Sequence, residues 1–159
     1  MNTNELVIQT FYGAFQQGDY KTMQDCYHPQ ITFSDPVFPR LEGRQVYAMW
    51  HMLCEAGQDL KIDFEAVGAF DSQGQARWQA SYRFGKQQRM INNAIEARFH
   101  FKDGKIIRHE DRFDLWKWSS MAFGLPGTFL GWSSFMQDKI RKQAARGLHK
   151  FIARHPEYQ

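Results

Sequence analysis

The sequence predicts an α+β fold, with a curved antiparallel sheet wrapped around N-terminal helices and a helical extension at the C-terminus. Three observations predict it. Apolar residues recur at helical spacing up to about residue 56, then alternate in steps of two from about residue 59. Asp71-Ser-Gln-Gly74 and Lys102-Asp-Gly104 are turn signals inside the alternating part, the second a strong hairpin signal. Helices first and strands later point to a sheet with its helices gathered on one face, leaving a cone-shaped cavity between them.

Taken in order, the first helix is expected over about residues 4–17, with Val7, Phe11, Ala14 and Phe15 on one face. Asn2 or Thr3 can cap it, and Gly18-Asp19 stops it. Asp19 then caps a short second helix in which Tyr20, Met23 and Tyr27 repeat, ended by His28-Pro29. Ile31-Thr-Phe-Ser-Asp35 reads as a strand closed by Pro36. Ile31, Phe33 and Asp35 share a face, so a carboxylate points the same way as two core residues. The plain reading is an Asp that caps a turn; the sharper one is an acid–base group at the floor of an apolar pocket.

A third helix is expected from about Arg44 to Ala56, with Val46, Met49, Trp50 and Leu53 inward and Gly57 closing it. Strands follow, with Leu60, Ile62, Phe64 and Ala66, then Ala76, Trp78, Ala80, Tyr82 and Phe84, then Ile95, Ala97, Phe99 and Phe101 on the inner face. The last strand places Ile107, His109, Asp111, Phe113 and Leu115 together. If that face is concave, His109 and Asp111 point into an apolar hollow, where a paired His can work near neutral pH. A register slip by one residue would turn both outward, but would also expose Ile107, Phe113 and Leu115.

The chain has 159 residues and a net charge of +3, with 14 Phe, 5 Trp and 6 Tyr. That suits one globular unit, read as residues 1–115 plus an extension, 116–159, packed on it. No run of transmembrane length and no signal-peptide layout is present, and Cys26 and Cys54 lack metal spacing. A cytoplasmic protein with reduced thiols is expected. No phosphate loop, nucleophile elbow or zinc motif occurs.

The extension opens with an amphipathic piece, Trp116–Phe123, and an apolar loop from Gly124 to Trp132. A final helix follows, from about Ser134 to Ala153, with Met136, Ile140, Ala144, Leu148 and Phe151 on one face. From Ser133 onward six Lys or Arg face two acidic residues, a balance of +4. Packing on the domain is the favoured reading of this helix. Contact with a membrane surface through Phe129, Leu130 and Trp132 is a less favoured one, and nucleic acid is not expected.

Four segments resemble the cone-shaped fold of nuclear transport factor 2 (NTF2) and ketosteroid isomerase, and within it the SnoaL-like polyketide cyclases. They are Phe11-Tyr-Gly-Ala-Phe-Gln-Gln-Gly-Asp19, Thr32-Phe-Ser-Asp-Pro-Val37, Leu41-Glu-Gly-Arg44 and Phe99-His-Phe-Lys-Asp-Gly-Lys-Ile-Ile-Arg-His-Glu-Asp111. The resemblance implies an NTF2-like (cystatin-like) fold and a hydrophobic ligand cavity. It also implies a homodimer through the outer sheet face, here carrying Arg77, Gln79, Arg83, Arg98 and His100. It places Asp35 on the isomerase base position. The oxyanion-binding Tyr falls on Phe11, and the protonated Asp on or next to Ala97, with Glu96 one residue away. Losing one such donor costs about 3–4 kcal/mol of transition-state stabilisation, so steroid isomerisation is disfavoured. Tyr12 is the nearest substitute, turned by about 100° on the helix.

The resemblance and the residues together make Asp35, His109 and Asp111 the expected acid–base set, facing one another across the cone. The expected cavity wall is Phe11, Phe15, Phe33, Trp50, Leu53, Trp78, Tyr82, Ala97, Phe99 and Phe113. Such a site suits cofactor-free, metal-free isomerase, cyclase or hydratase chemistry on a hydrophobic carbonyl compound. The alternatives are a non-catalytic small-molecule-binding domain and an interaction domain whose cavity is filled by its own aromatics.

Overall fold

The computed structural model describes residues 2–57, 59–130 and 133–159. Helix α1 spans Thr3–Gln16 and starts on a reciprocal cap. Asn2 Oδ1 accepts from the Glu5 N–H at 2.8 Å, and Glu5 Oε2 accepts from the Asn2 N–H at 3.4 Å. The helix buries Ile8, Phe11, Tyr12, Ala14 and Phe15. Asp19 caps α2, Tyr20–Asp25, through the N–H of Thr22.

Helix α2 stops earlier than its spacing suggests. Tyr27, His28 and Pro29 belong to strand β1, Tyr27–Ser34. A six-residue helix is only marginally stable alone, and pairing of this stretch with the last strand overrides it. Strand β2 is the pair Leu41–Glu42, and α3 spans Arg44–Ala56. Strands β3 (Lys61–Phe70), β4 (Gln73–Phe84), β5 (Arg89–Lys102) and β6 (Lys105–Arg112) complete a six-stranded sheet of order β2-β1-β6-β5-β4-β3. All neighbours are antiparallel except β1 and β6, which run parallel.

Among the described residues, three register shifts interrupt the sheet, the first in the β1–β6 pair between Tyr27 and Thr32. Ala66 has φ 55°, and the β3–β4 register shifts between Glu65 and Gly68. The β5–β6 register shifts between His100 and Phe101. That shift turns Ile106 fully inward and leaves Ile107 half-buried, where simple alternation had placed Ile107 on the His109 face. Asp103 and Gly104 join the two strands with φ 55° and 75°, the two positive values of a tight hairpin turn. Strand β5 begins at Arg89 rather than near Ile95, because Ile91 and Asn93 extend its inward-facing set.

Beyond the sheet lie α4 (Leu115–Phe123), α5 (Leu125–Leu130), α6 (Ser134–Ala153) and a 3-10 turn, Pro156–Tyr158. The stretch expected as an apolar loop contains α5 instead; Trp132 lies outside the described residues. Gly127 allows α5 to lie against α4, because any Cβ there would collide with the Ser119 carbonyl. Leu148 and Phe151 of α6 join the main core, while Ile140 packs with Ile91, Leu115 and Trp118. The extension therefore covers the open end of the sheet. Among the described residues, no helix is long and apolar enough to cross a membrane.

Candidate functional site

Strand β6 turns His109 and Asp111 to the inner face, where they are 0% and 5% exposed. The register slip that would turn them outward does not occur. His109 sits at the centre of a hydrogen-bonded chain. Trp50 Nε1–H donates to the Tyr27 hydroxyl at 2.8 Å, and that hydroxyl lies 2.8 Å from His109 Nδ1. On the other side, His109 Nε2 is 2.9 Å from Asp111 Oδ1, which also accepts from Trp78 Nε1–H at 3.3 Å. A carboxylate only accepts, so Nε2 carries the proton and Nδ1 receives the Tyr27 O–H. Both ring nitrogens of His109, the Tyr27 hydroxyl and both indole N–H groups are then used, as burial requires. Burial, and secondarily the nearby Asp111 charge, raises the Tyr27 hydroxyl well above its ordinary pKa, so it remains a donor.

Asp35 follows the end of β1. The parallel register pairs Phe33 with His109 and Ser34 with Glu110, so Asp35 comes level with Asp111. The two carboxylates lie side by side on neighbouring strands, not across the cone as the sequence suggested. Asp35 Oδ1 accepts from the Val37 and Phe38 amides at 2.7 and 2.6 Å. The turn-capping role and the cavity-facing role therefore coexist. Burial drives the Asp35 pKa up to about 7; the two amides oppose that shift, and the Asp111 charge adds to it.

Both carboxylates open onto a cavity of about 490 Å³ between the sheet, α3 and the extension. Of the expected wall, Phe15, Phe33, Trp50, Leu53, Trp78, Tyr82 and Phe113 line it. Phe11, Ala97, Phe99 and His109 do not. Phe11 is fully buried among Tyr12, Tyr27, Trp50 and His109, and the ring of Phe99 lies 4.5 Å from that of His109. Ala97 is buried beside Asp111 in the β5–β6 register. His109 therefore reaches the cavity only through Asp111.

Neither substitute donor is in place. Glu96 is exposed on the outer face. Tyr12 is fully buried, and its hydroxyl has no hydrogen-bond partner among the described residues. Asn93 escaped the sequence reading, and so did the hydrogen-bonding role of Tyr82, expected only as part of the wall. Tyr82 lines the wall and accepts from Trp118 Nε1–H at 2.8 Å, which leaves its own proton to donate. Burial raises its pKa, the Trp118 bond opposes the shift, and the Asp35 charge adds to it. Asn93 is 8% exposed between the inward Ile91 and Ile95. An Asn in an apolar alternation was the available signal for it. The extension contributes Trp118, Phe123, Ile140, Gln143, Ala144 and Gly147 to the wall. A second hollow, about 580 Å³, lies among Asp63, Glu65, Arg77, Gln79, Glu96 and Arg112 and includes none of the three titratable candidates.

The model of the SnoaL-like domain family matches residues 8–109. The chain belongs to the SnoaL-like family. Solved structures agree on its NTF2-like fold. A candidate polyketide cyclase from Xanthomonas campestris pv. campestris superposes with a TM-score of 0.63 at 18% identity, over 75% of this chain and 96% of that one. IdmH, a candidate polyketide cyclase from Streptomyces antibioticus, gives 0.64 at 14% identity, over 76% and 98%. An LEH-like epoxide hydrolase from M. tuberculosis gives 0.60 at 16%, over 84% and 94%. At these identities the likeness is one of fold. No curated protein sequence matches the chain.

Proposed function

We propose that this SnoaL-like protein performs acid–base chemistry on a hydrophobic carbonyl compound held in the cavity, as an isomerase or cyclase. The observation that carries this reading is Asp35, a carboxyl raised to about 7 at the wall of a mainly apolar cavity. A general acid or base works best when its pKa lies near the working pH. Asp35 Oδ1 is fixed by two amides, which orients the group and leaves Oδ2 to take the proton. In this reading Asp35 removes a proton beside the carbonyl, and the Tyr82 O–H stabilises the oxygen as charge develops on it. The protonated Asp35 then gives the proton back at the new position, while Asp111, held by His109 and Trp78, remains a hydrogen-bond acceptor on the same cavity wall. The cavity volume lies within the range of about 300–1,000 Å³ common for small-molecule sites.

Water addition is the second reading, and the side-by-side carboxylates favour it. One can activate water while the other protonates the leaving oxygen. The fold shared with an epoxide hydrolase is compatible with it.

The test begins with a thermal-shift screen of terpenoid, steroid and aromatic polyketide carbonyl compounds, with epoxides as the second arm. Any compound that is turned over is then given to Asp35→Asn. The expected loss in kcat is about 10²–10⁴-fold, with the fold retained. Ligand binding with an unchanged rate in Asp35→Asn would remove Asp35 as the acid–base group. Binding without turnover in the wild type would leave a binding domain.

A further inference from the structure

We propose that His51, Glu55 and His155 form a site for a zinc-like divalent transition-metal ion, which ties the C-terminal segment to α3. The site is separate from the cavity and does not depend on what the cavity holds. One ligand atom from each residue falls within 4.8 Å of the other two. His51 and Glu55 are one helical turn apart on α3, with His51 Nε2 2.9 Å from Glu55 Oε1. His155 reaches them from the residue after α6 and its cap.

The second nitrogen of each ring carries the argument. His155 Nδ1 lies 2.7 Å from the Phe151 carbonyl. A carbonyl only accepts, so Nδ1 holds the proton and Nε2 carries a free lone pair. That Nε2 has no protein partner among the described residues. His51 Nδ1 lies 2.8 Å from the Tyr158 hydroxyl, which accepts from Gln24 Nε2–H at 2.9 Å; with an ion on Nε2, the ring proton would sit on Nδ1 and be donated to that hydroxyl. Metal-binding imidazoles are characteristically held in this way, by a hydrogen bond at the nitrogen that does not bind the metal.

Stacking fixes both rings. His51 lies on Tyr20 with centroids 3.7 Å apart and planes 15° from parallel. His155 lies on Phe151 at 3.9 Å and 17°. The rings of the two histidines are 5.1 Å apart. Zinc bonds of about 2.0–2.2 Å place tetrahedral ligand atoms roughly 3.3 Å apart, so the set must close slightly. Glu55 can supply that movement, because its side chain is 55% exposed. Two imidazoles and one carboxylate favour zinc over magnesium or calcium, and the solvent side leaves a fourth position for water. A hydrogen bond from His51 to Glu55 explains those two residues alone. It does not explain the third ligand, held beside them with its lone pair uncommitted.

An ion here would act on the cavity at a distance. Helix α3 supplies Met49, Trp50, Met52 and Leu53 to the wall, and α6 supplies Ile140, Gln143, Ala144 and Gly147. Joining the two helices would hold that end of the cavity closed.

The test is calorimetric titration of the metal-stripped full chain with zinc chloride, beside thermal melting with zinc or magnesium chloride. One zinc per chain and a higher Tm with zinc alone are expected. The cobalt-loaded protein should show the strong visible absorption of a low-symmetry tetrahedral site. Glu55→Gln, at an exposed position that spares the fold, and His155→Ala should each weaken zinc binding at least tenfold. His149→Ala, exposed on α6, should not. The absence of stoichiometric binding to folded wild-type protein, or binding undiminished in both variants, would overturn the site.

Discussion

Asp35 and Asp111 come level on neighbouring strands and open onto the same cavity, yet their surroundings differ. Asp35 stands at a strand end, where the turn after Pro36 supplies the Val37 and Phe38 amides and, among the described residues, no side-chain partner. Asp111 stands within a strand, where His109 and Trp78 supply ring donors. Both keep one oxygen unengaged by protein donors among the described residues. Their partners separate them. Backbone amides orient Asp35 but do not offset its burial, so its carboxyl gains and loses a proton near neutral pH. Side-chain partners tie Asp111 into a network that also organises Tyr27 and Trp50. The same residue type thus serves as a titrating group in one place and as a structural acceptor in the other.

The largest expected effect tests the network side of this comparison. His109→Ala opens a cavity in the core and leaves the Asp111 carboxylate and the Tyr27 hydroxyl without their shared partner. A loss of about 3–5 kcal/mol is expected in urea unfolding at neutral pH. A loss below about 1 kcal/mol would mean that the chain of hydrogen bonds does not organise the core.

Asp35→Asn tests the other carboxylate, and its sign is set by the raised pKa. A carboxyl with a folded pKa of about 7 and an ordinary value of 3.8 binds extra protons when folded between those limits. Its contribution favours the folded state most below the lower value, declines as pH rises to about 7, and is then constant. The ceiling of that decline is about 4 kcal/mol. The Asn variant keeps the Oδ1 acceptor without the charge. It should therefore be the more stable protein at pH 8, with the difference from wild type shrinking as pH falls toward 4. A difference that is constant with pH would show that Asp35 titrates like an ordinary surface carboxylate.

The smallest effects come from two tyrosines that are both fully buried. Tyr27→Phe removes the bridge between Trp50 and His109 and should cost about 1–3 kcal/mol. Tyr12→Phe removes a hydroxyl without a partner among the described residues, so it should be neutral or stabilise by up to about 1 kcal/mol. Parallel thermal melts of the two variants make the contrast. Equal losses would mean that the Tyr12 hydroxyl has a role in the core.

By itself the sequence determined the element types, their order and the inward face of most strands. These follow from local periodicity, which is why α3 and α6 match their expected bounds and the Asp103-Gly104 hairpin falls in place. It also singled out Asp35, His109 and Asp111, because polar residues in an apolar alternation stand out. The tertiary structure decided what periodicity does not encode. Parallel pairing of β1 with β6 drew Tyr27 out of a helix and put Asp35 beside Asp111. A bulge in the β5–β6 pair exchanged Ile107 for Ile106. Ring packing put His109 behind Asp111 instead of at the cavity surface. The fold also brought His155 to His51 and Glu55, three residues that no local spacing connects. Local pattern fixes which way a side chain faces within its own element. Only the packing of distant elements decides which side chains meet, because that depends on register, bulges and crossing geometry summed over the whole chain.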